Sequence, residues 1–276
     1  MTHTWFITGA SSGFGRLIAE RVLERGDSVA ATYRRSGALD DLAARYPDRL
    51  WTAEMDLRKP ETIAAAVEGA FTAFPRIDRI ISNAGFGTFG AAEEVSEDQV
   101  RHQIEGNLIG TILFIRRIIP RLRENGGGRI LQVTSEGGRI AYPAFSLYHA
   151  SKWGQEGFLA SVAQEVAPFG IEICTVEPGP TVTGFAAALD MAEPIPVYDG
   201  TPAGAVRKGI REGTFPLTGD AGKMADKMIA LAGADALPPR MPLGSTAWNN
   251  IAAHLDEARA LHARQKERAY HCDRPG

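Results

Sequence analysis

The opening of the chain restricts its fold more than any other stretch. Trp5-Phe6-Ile7-Thr8 reads as a short buried strand and Gly9-Ala10-Ser11-Ser12-Gly13-Phe14-Gly15 as a glycine-rich turn. Arg16 to Arg25 then carries apolar residues at helical spacing, Leu17, Ile18, Val22 and Leu23. The same unit recurs. Ser28–Tyr33, Leu50–Met55, Ile77–Ser82, Arg129–Thr134 and Ile171–Val176 read as further strands. Between them lie a helix from Pro60 with Ile63, Ala66, Val67 and Ala70 inward, one from Glu97 to Glu124, and one through Tyr148 to about Phe169. Strand patterns alternating with helices argue for a parallel sheet covered on both faces.

The later chain is less regular. Residues 184–216 are rich in Pro, Gly, Ala and aromatics with little periodicity, and read as a mobile segment over a site. Asp220–Gly233 reads as a helix and Arg240–Leu243 as a last short strand. Ser245 is expected to cap a final helix over 245–269, with a loose tail from Tyr270. With 276 residues, 44% hydrophobic content, no repeat and no long linker, residues 1–276 read as a single domain.

Composition removes several classes of function. A net charge of -3 gives no reason to expect nucleic acid or an anionic membrane as partner. Cys174 lies in an apolar run and Cys272 in the polar tail, with no CxxC, and the six histidines have no HExxH spacing, so no metal is expected. The N-terminus lacks the basic start and long apolar core of a signal peptide, and no apolar run is long enough to span a bilayer. A cytoplasmic protein is the expectation.

The residues with chemical potential fall at strand C-terminal ends or on the following helices, where open α/β sheets bind ligands. The G-x-x-x-G-x-G turn at Gly9–Gly15 either holds a phosphate on its backbone N–H groups or is an ordinary strand-to-helix turn. Arg34-Arg35 ends the second strand, where a dinucleotide fold places an acid when it binds a ribose 2′-hydroxyl. A pair of arginines there suits a 2′-phosphate, hence NADP(H); the alternative is two solvated arginines in a turn. Asn83-Ala84-Gly85-Phe86-Gly87 is a tight turn after the fourth strand, and Ser135 ends the fifth. Asn107, a mediocre helix former, either sits mid-helix by accident or marks a bend. Tyr148 and Lys152, four apart, share one helix face. A cation ~4 Å from the phenol, at an effective dielectric of ~20, favours the phenolate by ~4 kcal/mol, which would bring Tyr148 to about pH 7.

Taken together, Thr8-Gly9-Ala10-Ser11-Ser12-Gly13-Phe14-Gly15, Asp56, Asn83-Ala84-Gly85, Asn107, Ser135, Tyr148-x-x-x-Lys152 and Pro178-Gly179 come in the order and spacing of the short-chain dehydrogenase/reductase family. The chain resembles that family from about Thr4 to about Thr183, and loosely beyond Gly184. The resemblance implies an α/β, Rossmann-like, doubly wound parallel sheet of about seven strands with helices on both faces. It implies an NADP(H)-dependent oxidoreductase that interconverts a ketone or aldehyde and an alcohol by hydride transfer. Tyr148 would be the general acid–base, and Lys152 would lower its pKa and hold the nicotinamide ribose. Ser135 would bind the substrate oxygen, and Asn107 would hold a water of a proton relay. Gly9, Ser11, Ser12, Gly13, Phe14 and Gly15 would contact the pyrophosphate and adjacent ribose. Asp56 would bind the adenine amine with Leu57 nearby, while Asn83, Ala84 and Gly85 would lie beside the adenosine ribose. Thr181 and Thr183 would reach the carboxamide after the Pro178-Gly179 turn, which also belongs to the cofactor site. Some NADP-preferring relatives carry a basic residue at the position of Ser12; here Arg34 and Arg35 alone carry that preference, with Tyr33 where NAD-preferring relatives have aspartate. The alternative is a catalytically silent, NADP(H)-sensing regulatory protein of the same fold, against which the intact Ser135, Tyr148 and Lys152 argue.

A small hydrophobic carbonyl or alcohol is the expected substrate. Phe86, Phe89, Ile140, Tyr142, Phe145, Phe185, Met191, Tyr198 and Phe215 are candidate pocket residues, about half of them facing a ligand. Glu136 either turns to water or to Arg139, or accepts a hydrogen bond from the substrate. Ile104, Leu108, Ile112, Leu113 and Ile115 spread apolar surface over more than one helix face. Relatives pair these helices, so a homodimer or homotetramer is expected unless the final helix covers that surface.

Overall fold

The computed structural model describes residues 2–274. Nine strands, β1 (Thr4–Ile7), β2 (Ser28–Tyr33), β3 (Leu50–Glu54), β4 (Arg79–Ser82), β5 (Thr88–Phe89), β6 (Gly128–Val133), β7 (Ile171–Pro178), β8 (Asp190–Met191) and β9 (Arg240–Leu243), are found among the described residues. Seven of them form one sheet in the order β3-β2-β1-β4-β6-β7-β9, and every pairing in it is parallel. The chain runs outward from β1 to β3, then crosses back to lay β4 on the other side of β1. A crevice opens at that reversal, beyond the strands' C-terminal ends.

Side chains alternate across the sheet with the two-residue period of a strand. Trp5 and Ile7 of β1 join Val29, Ala31, Leu131 and Val176 on one face, covered by α1 (Gly13–Glu24), α2 (Asp40–Arg45) and α8 (Ala221–Ala232). Phe6 points the other way and joins Ala30, Ile80 and Ile130 under α3 (Pro60–Ala73), α5 (Thr111–Glu124) and α6 (Ser146–Val166). This is the doubly wound parallel sheet with helices on both faces that the sequence leads one to expect.

Three elements differ from expectation. The single helix over 97–124 is α4 (Glu97–Gln103), a π-helical segment Ile104–Gly110, and α5. Ser96 and Gln99 form a capping box at its start, and Asn107 lies in the π segment, so the bend reading of that residue is the correct one. Residues 184–216 are not without regular structure. Asp190–Met191 pairs with Thr88–Phe89 as a two-stranded ribbon, and α7 (Pro202–Arg211) follows, capped by Thr201. The final helix stops earlier, as α9 (Ser245–Ala263) and a short α10 (Lys266–Tyr270). Ser245 does not cap it; Gly244, at φ 95°, precedes the helix, and no side chain bonds its free N–H groups. The end of the tail, residues 275–276, and Met1 lie outside the described residues.

Candidate active site

A cleft of about 550 Å³ runs along the C-terminal ends of the strands at the β1/β4 reversal. At one end it is walled by Gly9, Ser11, Ser12, Gly13 and Phe14, with Tyr33, Arg34 and Arg35 following β2. Gly9 and Gly13 have positive φ, 67° and 55°. A Cβ on Gly15 would lie 2.5 Å from the Gly9 carbonyl oxygen, so the turn closes only around glycine there. Thr8 locks the turn to the next strand: its Oγ1 accepts from the backbone N–H of Asn83 (2.9 Å) and Ala84 (3.0 Å). The Asn83 amide donates to the Thr8 and Gly9 carbonyls at 3.1 and 3.2 Å. Asn83 therefore braces the glycine turn.

Arg34 and Arg35 are exposed at the rim. Asp56, with Leu57, lines the same wall, and both its carboxylate oxygens bind Arg58, at 3.0 and 2.6 Å. Arg58 is the main reason the Asp56 carboxyl lies below its ordinary range, with Arg34 adding to it.

The other end of the cleft gathers Ser135, Tyr148 and Lys152 with Gly85, Pro178, Gly179, Thr181 and Thr183. Ser135 follows β6, and its Oγ accepts from the Gly137 N–H at 3.0 Å. Tyr148 and Lys152 share a face of α6, with the Lys152 nitrogen 5.8 Å from the Tyr148 ring centre. Asn107 is wholly buried behind them. Its amide clasps Phe86, donating to the carbonyl at 2.6 Å and accepting from the N–H at 3.1 Å. A Cβ on Gly85 would stand 3.5 Å from Asn107 Oδ1 and 3.7 Å from Lys152 Nζ, so the turn after β4 rests against both. Thr181 turns inward instead, donating to the Gly179 carbonyl at 2.7 Å, and the Thr183 hydroxyl accepts from the Phe185 N–H at 3.2 Å.

The electrostatics correct one expectation. Tyr148 does not sit near neutrality: burial pushes its phenol up to about 12, Ser135 acting downward and the Glu136 charge upward. Lys152 is displaced the other way, to about 8, because burial disfavours its charge more than Glu156 supports it. Desolvation of both partners outweighs the attraction of one cation at ~4 Å.

Glu136 corrects another. It neither faces water nor pairs with Arg139, which bonds Glu177 at 3.2 Å instead. Glu136 is only 2% exposed; it accepts from the Tyr142 hydroxyl at 2.7 Å and from Asn250 of α9 at 3.2 Å. Each carboxylate oxygen takes one bond from within the protein, and Glu136 also lines the cleft beside Ser135. His149 fastens the same loop, with Nδ1 on the Gly137 carbonyl (2.8 Å) and Nε2 accepting from the Tyr142 N–H (2.8 Å). A carbonyl can only accept and an N–H only donate, so His149 is the neutral Nδ1–H tautomer; burial keeps its pKa low.

Of the nine candidate pocket residues, Phe86, Tyr142, Phe145, Phe185 and Phe215 line the cleft. Phe89 and Ile140 are core, Met191 is exposed, and the Tyr198 hydroxyl bonds Glu93 at 2.8 Å. Leu189, Ile210 and Leu217 line it as well. Leu189 and Ile210 escaped notice because residues 184–216 show little periodicity in sequence, and Leu217 because it lies just beyond that segment. His149 and Gln155 were also missed. Gln155 follows Lys152 by three positions on one helix, a spacing that puts the two side chains together.

The family model for the short chain dehydrogenases matches residues 3–194. The chain belongs to that family. Over 248 residues this dehydrogenase is 35% identical to Oxidoreductase BOA17 of Botryotinia fuckeliana (strain B05.10), covering 90% of each chain. A short-chain dehydrogenase from Streptomyces avermitilis superposes with a TM-score of 0.90 at 35% identity, over 99% of this chain and 98% of that one. Another, from Burkholderia cenocepacia J2315 in complex with NADP, superposes with a TM-score of 0.74 at 25% identity, over 95% of this chain and 97% of that one. By family, then, the protein is an oxidoreductase. No helix among the described residues is long and apolar enough to cross a membrane.

Proposed function

We propose that this dehydrogenase is an NADP(H)-dependent oxidoreductase that interconverts a hydrophobic ketone or aldehyde and its alcohol. The observation that carries the reading is a single cleft with the glycine turn and two arginines at one end and Ser135, Tyr148 and Lys152 at the other. The residues fit a dinucleotide. The turn at Gly9–Gly15 offers backbone N–H groups where side chains are excluded, and the cleft continues unbroken to Lys152. Gly9, Ser11, Ser12, Gly13, Phe14 and Gly15 would hold the pyrophosphate. Asp56, Leu57, Asn83, Ala84 and Gly85 would flank the adenosine, and Pro178, Gly179, Thr181 and Thr183 the nicotinamide end. Solved members of the family carry NADP in some cases and NADH in others; Arg34 and Arg35 favour the 2′-phosphate here.

The bound nicotinamide supplies or takes the hydride. Every other requirement falls to the chain. Ser135 positions the substrate oxygen against Tyr148 and stabilises charge growing on it. Tyr148, protonated at neutral pH with its pKa near 12, donates that proton to the oxygen during reduction. In oxidation it must accept one, for which the Lys152 cation is the supporting charge. Tyr142, Phe145, Phe185, Ile210 and Phe215 exclude water from the reacting end. We further propose a homo-oligomer built on α4, the π segment and α6, where Val100, Ile109 and Trp153 are 36%, 46% and 46% exposed.

The test is titration with both cofactors and a ketone screen. NADPH is expected to bind at least about tenfold more tightly than NADH, and Arg34→Asp to reverse the order. Equal dissociation constants in the parent protein would overturn the cofactor assignment. NADPH oxidation by at least one apolar ketone, lost in Tyr148→Phe, is the expected activity. Binding of NADPH without turnover across the screen would favour the sensing role instead.

A further inference from the structure

Behind the cleft a buried polar cluster surrounds the inner side of Lys152. Gln132, Asn107 and Gln155 are each 0% exposed, and Lys152 is 4% exposed. The Lys152 ammonium has two hydrogen-bond partners there, the Val133 carbonyl at 3.0 Å and Gln155 Oε1 at 3.4 Å. Neither is charged. The other end of the same Gln155 amide donates to the backbone carbonyl of Asn107, in the π segment, and to Thr111 Oγ1 at 3.3 Å. Gln132 Nε2 adds a contact to Gln155 Oε1 at 3.4 Å. The orientation of the amide follows from chemistry: an ammonium only donates and a carbonyl only accepts, so oxygen faces Lys152 and nitrogen faces Asn107.

The position assigned to a water by family resemblance, between the Asn107 region and Lys152, is thus spanned by a side chain. A buried ammonium without acceptors is costly, and it withdraws from its site or loses its proton. A backbone carbonyl at a π segment, buried, also needs a donor. Gln155 answers both needs with one rigid group.

We propose that Gln155 is the positioning residue for Lys152, its amide tying the ammonium to the Asn107 carbonyl and holding the charge at the reacting end of the cleft. The proposal rests on the Tyr148–Lys152 reading above. The buried Glu156 charge supports the ammonium without a bond to it, so the groups that hold Lys152 in place by contact are both neutral, the Val133 carbonyl and the Gln155 oxygen.

The experiment is the pH profile of kcat/KM for NADPH-dependent ketone reduction in Gln155→Met and Gln155→Glu, with melting temperatures and NADPH binding measured alongside. Methionine has the same length and no strong acceptor. It should lower kcat about tenfold, leave KM for the ketone within about twofold, and move the alkaline limb about one pH unit down. Glutamate puts an anion beside the ammonium and should move that limb up. It also keeps the size of the side chain, so it tests the contact if the methionine variant fails to fold. Limbs that stay fixed in both folded variants, or that shift in the same direction, would overturn the proposal. Failure of the underlying reading is distinguishable, because then Lys152→Ala would leave the parent rate unchanged whatever Gln155 does.

Discussion

At the scale of single residues, Glu136 shows how burial changes what a carboxylate is for. Its carboxyl lies above the ordinary range because burial outweighs the hydrogen bonds from Tyr142 and Asn250. A carboxyl with a raised folded pKa destabilises the native state as pH rises from the unfolded value through the folded one. Glu136→Gln, which does not titrate, should therefore melt above the parent protein by a margin that widens as pH rises above the ordinary glutamate range. A margin independent of pH would show that the carboxylate carries no such cost. Tyr148 is read in turnover instead. Tyr148→Phe should lower kcat by about a hundredfold or more while leaving NADPH affinity within a few-fold, read by single-turnover kinetics and cofactor titration.

At the scale of elements, α7 is fastened by one buried ion pair. Glu94 bonds Arg207, and its two oxygens also accept from the backbone N–H of Ile195 (2.9 Å) and Ala91 (2.7 Å). Burial alone would raise the Glu94 carboxyl; the bonds from Ile195, Ala91 and Arg207 outweigh it and hold it low. That stability is present above the ordinary glutamate range and lost as pH falls through the depressed value. Glu94→Ala takes the acceptor from two backbone N–H groups and leaves Arg207, 4% exposed, with only the exposed Asp199 carboxylate at 3.3 Å. A loss of about 3–5 kcal/mol is expected, confined to residues 190–213. Hydrogen exchange should quicken there and stay unchanged in the central sheet. Equal acceleration in β1 and β4 would show that α7 does not open by itself. The anchor spans more than a hundred residues of chain, which is why no local pattern announced it. The helices carrying Tyr148 and the glycine turn were legible because their signals are local, an apolar period beside Gly, Ser or Pro. The π segment was legible only as a misplaced asparagine. The clasp that holds Asn107 there, to Phe86, lies across 21 residues.

At the scale of the whole molecule, the sheet order was readable from the alternation of elements, whereas the assembly is decided by surfaces. The exposed Val100, Ile109 and Trp153 sit on α4, the π segment and α6, and α9 reaches only the edge of Trp153, whose ring lies 6.2 Å from that of His254. Light scattering at micromolar concentration should give a mass at least twice the 29.7 kDa of the chain, and Ile109→Asp should lower it. A monomeric parent would remove the oligomer from the proposal.

The crossover that lays β4 against β1 also fixes when the cleft can exist. Thr8 and Asn83, whose bonds close the glycine turn, are 75 residues apart. A loop of that length must close before either half of the crevice gains a wall, and an all-parallel sheet has no hairpin to shorten the search. During refolding from denaturant, helical signal should therefore return early. The capacity to quench NADPH fluorescence should return only with the slowest phase, in which the two halves of the sheet dock. Cofactor binding recovered together with the first helical signal would mean that the glycine turn is shaped without β4.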